Sequence, residues 1–189
     1  MFVLTQATEL SIIFSGIFLW VGMLTGVWKY YQIRKTELAR AHYYVDIAHR
    51  SSLLYAAASL ILAALSYFTV LSDMWTLACV IANLFFFAMS ILTYIIHGLL
   101  KDTTNQFKQP HQLGQRAIPA WCMTLMMLSL IIVELGATAI LLCGTIAWTM
   151  SFFYRGPLLC PANYHLTQDF HCRIQYITFI HSQKGFDKN

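Results

Sequence analysis

Three groups of polar side chains in an otherwise apolar chain have spacings that could support chemistry. His42, Asp46 and His49 fall at i, i+4 and i+7, on one face of a helix. A carboxylate between two imidazoles can accept a ring N–H and fix which nitrogen is left for a metal. A solvated histidine face with an Asp46–Arg50 ion pair one turn apart has the same spacing. Asn83, Phe87, Ser90, Tyr94 and His97 fall at i, i+4, i+7, i+11 and i+14, a polar and aromatic line suited to protein or a cavity rather than acyl chains. If His97 ends at the depth of His42 and His49, three imidazoles from two helices converge, a donor set for a metal or haem iron. A lone interfacial histidine accounts for His97 as well. Glu134, followed by Thr138 and Thr145 at i+4 and i+11, is a carboxyl inside an apolar run, where it must be protonated, paired or exposed to a wet cavity. In a dry pocket it is a proton donor; bonded to Ser59 or Ser66 it is an interhelical link. The candidate binding residues are therefore His42, Asp46, His49 and His97, and the candidate catalytic residues Asn83, Tyr94 and Glu134.

The elements that must position these residues are membrane helices. The chain has 189 residues, 58% hydrophobic and 11% charged, with a mean hydropathy of +0.60. A soluble domain carries roughly 25% charged residues to wet its surface, so lipid takes the place of water here. The class expected is an all-α integral membrane protein, a four-transmembrane-helix bundle. Spans are expected at about 10–28, 51–71, 74–100 and 119–150, each long enough for a hydrocarbon core of ~30 Å. The first is free of charge and holds Gly22 and Gly26 in small-xxx-small spacing, a face for close helix packing. Residues 29–50 read as a helical cytoplasmic extension with five basic and two acidic residues. Ser72 and Asp73 mark a tight turn, and Pro119 suits the first turn of the last span.

Basic residues cluster in 29–50 and again in 101–116 (Lys101, Lys108, Arg116), whereas the N-terminus and the turn at 72–73 carry none. The positive-inside rule then puts the basic loops in the cytoplasm and both termini outside. A multi-pass protein of the plasma (cell inner) membrane is expected, with the first span retained rather than cleaved as a signal peptide. The tail 151–189 is polar and aperiodic, lies outside the membrane and is assigned no fold. Cys160 and Cys172 would pair there if it sits in an oxidising compartment, while Cys79, Cys122 and Cys143 read as buried thiols within spans. The chain has no internal repeat, Gly-rich phosphate loop or CxxC pair, which argues against nucleotide-driven transport and zinc fingers, and its basic loops set orientation rather than nucleic-acid binding.

The run GIFLWVGMLTG (Gly16 to Gly26), ARAH (Ala39 to His42) before the second span, and AN followed by aromatics (Ala82 to Phe87) in the third are similar to the small four-helix membrane isomerases, styrene oxide isomerase and hydroxylaminobenzene mutase. The resemblance covers the four spans and not the tail. It implies that His42 is the axial ligand of a haem b lodged between protomers of a trimer. Ferric iron would then act as a Lewis acid on the substrate oxygen, with Asp46 orienting the ring. Asn83 matches the family. Its asparagine six residues after the motif histidine is Ala48 here, and its tyrosine four residues after the AN asparagine is Phe87.

The leading functional expectation is thus an isomerase-like membrane enzyme with haem b at His42, taking a small apolar or aromatic substrate from the lipid. A second is a non-catalytic haem-binding or accessory subunit of a larger membrane complex, with His42 and His97 or His49 as paired ligands. A third is a glutathione-transferase-like membrane enzyme, whose family also has a basic motif before its second span. Expected partners are lipid, a small hydrophobic substrate and further copies of the chain.

Overall fold

The structure, a computed structural model, describes residues 4–101, 103, 105, 112–113, 116–117 and 119–155. Four α-helices carry it: α1 (Gln6–Lys35), α2 (Tyr43–Tyr67), α3 (Asp73–Leu100) and α4 (Ala120–Arg155). Two-residue strands β1 (Gln112–Leu113) and β2 (Arg116–Ala117) pair antiparallel between α3 and α4. All four helices are long and apolar enough to cross a membrane. Their outward faces carry apolar side chains such as Val27, Leu54 and Ile132, a surface whose exposure to water would be costly and to lipid is not.

The helix ends follow local chemistry. Thr5 caps α1 by accepting from the Thr8 N–H, with Glu9 in the first turn and Arg34 and Lys35 in the last, each charge opposing the nearby helix dipole. The expected continuous extension 29–50 is divided. α1 runs on to Lys35, the chain turns through 36–42, and α2 begins at Tyr43. Ala39 takes a left-handed φ of 49° in that turn. The Thr36 hydroxyl donates to the Arg40 carbonyl and accepts the Arg40 N–H, and the Gln32 side chain accepts the His42 N–H at 2.8 Å. At the other end, α4 passes through Ser151 to Arg155, so the helix outlasts the change in composition. The rest of the tail, with Cys160 and Cys172, lies outside the described residues.

α1 packs along most of α2, α2 against α3, and α4 more lightly against α3 and α2, so α1 and α4 flank the α2–α3 pair on opposite sides. The glycine face of α1 meets α2. A Cβ on Gly22 would stand 2.7 Å from Leu53 Cδ2, and one on Gly26 2.9 Å from His49 Cε1. Polar links tie the helices together: Thr8 to Ser66 (3.0 Å), Ser15 to the Ala56 carbonyl (2.8 Å) and Thr145 to the Leu65 carbonyl (3.1 Å). The core centres on Phe18, Val45, Ala48, Val80, Leu84 and Leu141.

Candidate functional site

The C-terminal ends of α1 and α3 and the start of α2 share one end of the bundle, where Lys29, Arg34, Lys35, Arg40, Arg50 and Lys101 gather. A recess of about 580 Å³ opens there, lined by the Trp28 and Tyr31 rings, Leu99, His42, and the cations Lys35, Arg40 and Lys101. Lys35 Nζ lies 4.5 Å from the Tyr31 ring centroid, within cation–π range. The recess brings together one imidazole, an aromatic and aliphatic wall and three cations.

His42 stands at the N-cap of α2, where its carbonyl accepts from Val45 and Asp46 N–H. Its ring lies 6.3 Å from that of Tyr44, which in turn lies 5.1 Å from the ring of His97 and stacks with Tyr94 at 6.2 Å. His97 is buried at 5% exposure, and the Tyr44 ring lies between it and the ring of His42 in this chain of aromatic contacts. His49 does not join it. Its ring packs on Gly26, and Nδ1 lies 2.7 Å from the Gly22 carbonyl, a hydrogen bond that ties α2 to α1. Among the described residues no three His, Cys, Asp or Glu side chains are grouped to hold a metal ion; a haem iron held by one imidazole needs no such group.

Asp46 is engaged by two cations. Its Oδ1 lies 2.6 Å from Lys29 Nζ and its Oδ2 2.5 Å from an Arg50 nitrogen. The i, i+4 pair with Arg50 is the one the spacing predicts; the Lys29 partner comes from α1 and depends on the hairpin register. With a cation on each oxygen, Asp46 links α1 to α2.

The remaining candidates sit deeper. Asn83, fully buried, donates from Nδ2 to the Cys79 carbonyl (2.9 Å) and accepts from the Thr138 hydroxyl (3.0 Å), joining α3 to α4. Glu134 is not linked to the serines proposed for it. Ser59 donates to the Tyr55 carbonyl, and Ser66 is engaged with Thr8 and the Ala63 carbonyl. The Glu134 Oε1 is shielded from solvent and has no hydrogen-bond partner among the described residues. Tyr55 of α2 stacks on Phe87 of α3 at 4.4 Å and 18°. Sequence reasoning passed over Tyr44, Tyr55 and Trp28. The one available signal for Tyr55 is that it is the only aromatic residue between Ser51 and Ser66.

Fold and site together define a bundle of four helices long and apolar enough to cross a membrane, with a basic, histidine-bearing recess at one end and a partly buried carboxyl on α4. Among known proteins, the chain matches no family model, no curated protein and no solved structure.

Proposed function

We propose that this chain is a membrane-embedded, isomerase-like enzyme that binds haem b through His42 in the basic-end recess and acts on a small apolar or aromatic substrate drawn from the lipid. The observation that carries this reading is the lining of the recess. His42 offers a neutral nitrogen donor, Trp28, Tyr31 and Leu99 offer a wall for a porphyrin, and Lys35, Arg40 and Lys101 offer partners for propionates. When bound, the haem would supply a Lewis-acidic iron able to polarise a substrate C–O bond. The residues of the chain would hold and orient it: the Gln32 bond to the His42 N–H keeps that residue at the mouth of the recess, and the cations fix the propionate edge.

The bundle would lie in the plasma (cell inner) membrane with its basic end in the cytoplasm and both termini outside, following the charge bias of the loops. Further copies of the chain, a trimer by the resemblance, would cover the apolar outer faces of α1 and α4.

An absorption spectrum of the protein purified in mild detergent tests the reading. A Soret band is expected, lost in His42→Ala and retained in His49→Ala; a colourless, folded preparation after expression with added haem precursor would overturn it. The three cations support one further reading, a membrane transferase holding the carboxylates of an acidic thiol such as glutathione. That reading predicts glutathione binding by a colourless protein, weakened in Arg40→Ala.

A further inference from the structure

The lining of the basic-end recess changes in order along the bundle axis. On α1, Trp28, Tyr31, Gln32 and Lys35 fall at i, i+3, i+4 and i+7, so one helix face supplies both aromatic wall and cation. Trp28 and Lys35 are about 10 Å apart along that axis at ~1.5 Å per residue. α3 repeats the order over a shorter distance, with Gly98 and Leu99 followed by Lys101. A Cβ on Gly98 would stand 3.1 Å from Trp28 Cη2, which puts the two apolar ends at one level. Apolar groups therefore line the inner part of the recess, and Lys35, Arg40 and Lys101 the outer part.

The backbone sets these cations in place, and no carboxylate accompanies them. Lys101 closes α3 in a left-handed conformation (φ 51°), and Arg40 follows Ala39 (φ 49°), the two non-glycine residues of positive φ among the described ones. Thr36 holds Arg40 by both its N–H and its carbonyl. None of the described lining residues is Asp or Glu, and among the described residues both ion pairs belong to Asp46, with Lys29 and Arg50. Ammonium and guanidinium groups donate and do not accept, so the outer part of the recess selects an anion. The open side of the recess sets the source of that anion. Leu38, Leu99 and Tyr31 are 83%, 65% and 55% exposed, so the wall runs into the apolar outer surface of the helices. A ligand with an apolar body enters sideways, from the bilayer.

We propose that in the haem-free chain the recess binds an anionic phospholipid, its phosphate on Lys35, Arg40 and Lys101 and an acyl chain along Trp28 and Leu99. This goes beyond the haem reading and does not rest on it, because the phosphate needs the cations and not the His42 nitrogen. A phospholipid is the amphiphile that a bilayer itself presents at this level. Its phosphate lies outermost and its chains inward, the order in which the lining changes. Tryptophan and tyrosine side chains favour the same boundary.

The test uses the full-length chain, purified without added haem precursor. Native mass spectrometry from detergent micelles is run with equal amounts of phosphatidylglycerol and phosphatidylcholine carrying the same oleoyl chains. One phosphatidylglycerol per chain should be retained several-fold over phosphatidylcholine. Arg40→Gln and Lys101→Gln should each lower that ratio and together bring it close to one. Arg34→Gln, outside the recess lining, should leave it as in the parent. The two recess variants alter separate elements, so failure of one to fold leaves the other as a test. Glycerophosphate, which has the phosphate without the chains, and oleate, which has chain and charge without the phosphate, should not displace the lipid at equal concentration. Equal retention of both phospholipids, a ratio untouched by the recess variants, a ratio lowered as much by Arg34→Gln, or displacement by either competitor would each overturn the proposal. The readout is a lipid mass, so it stands whether or not a Soret band is found.

Discussion

A carboxylate between two cations at a helix interface has a different role from one beside a histidine, and Asp46 illustrates how far spacing can separate the two. The partner one turn away, Arg50, is readable from the sequence because helical period fixes it. Lys29 is not, because its distance from Asp46 depends on where the chain turns between α1 and α2. The Asp46 and Lys29 side chains are partly shielded, at 28% and 31% exposure, so the network is worth more than a surface pair and less than a buried one. Asp46→Asn is expected to lower stability by about 1–2 kcal/mol, and Lys29→Met by about half that, since Arg50 still neutralises the carboxylate. Thermal unfolding in detergent checks both. An Asp46 effect that vanishes in the Lys29→Met background would assign the interaction to that pair alone. Glu134 was legible as an anomaly, a lone carboxyl in an apolar run.

Among the elements, the long apolar runs announced all four helices, since lipid demands that each crossing segment satisfy its own backbone. The break between α1 and α2 was invisible for a physical reason. Residues 36–42 read TELARAH, good helix formers without Gly or Pro, and local preference is overridden by the packing of α1 against α2. The cost surfaces at Ala39, whose left-handed φ of 49° is strained for a residue with a Cβ. The glycine pair was readable as a packing face, but its contacts were not. Gly22→Ala meets the end of a flexible leucine, which can rotate aside. Gly26→Ala meets the His49 ring, which its bond to the Gly22 carbonyl holds in place. Gly26→Ala is therefore expected to cost about 1–3 kcal/mol, and Gly22→Ala under half as much. Comparing their unfolding midpoints in detergent checks the order, and an effect of Gly22→Ala equal to or larger than that of Gly26→Ala contradicts it.

At the scale of the whole molecule, the bundle gathers its basic residues at one end, and the loops at that end should face the cytoplasm. A cysteine placed at Ser72 should react with a membrane-impermeant maleimide on intact cells, and one at Glu37 only after the cells are opened, each measured above labelling of the parent protein. The reverse pattern would invert the orientation. The four long apolar helices were legible from composition and run length, whereas the recess was not, because its wall joins α1 and the 36–42 turn to Gly98, Leu99 and Lys101 at the far end of α3. That divided wall has a consequence for biogenesis. The α1–α2 hairpin, stapled at its turn by Gln32 and Thr36, takes all its residues from the chain before α3, so it can pair while α3 is still being synthesised. His42 is thus set in place early, on a half-built surface, and the wall of the recess is complete only when the last turn of α3 arrives beside it.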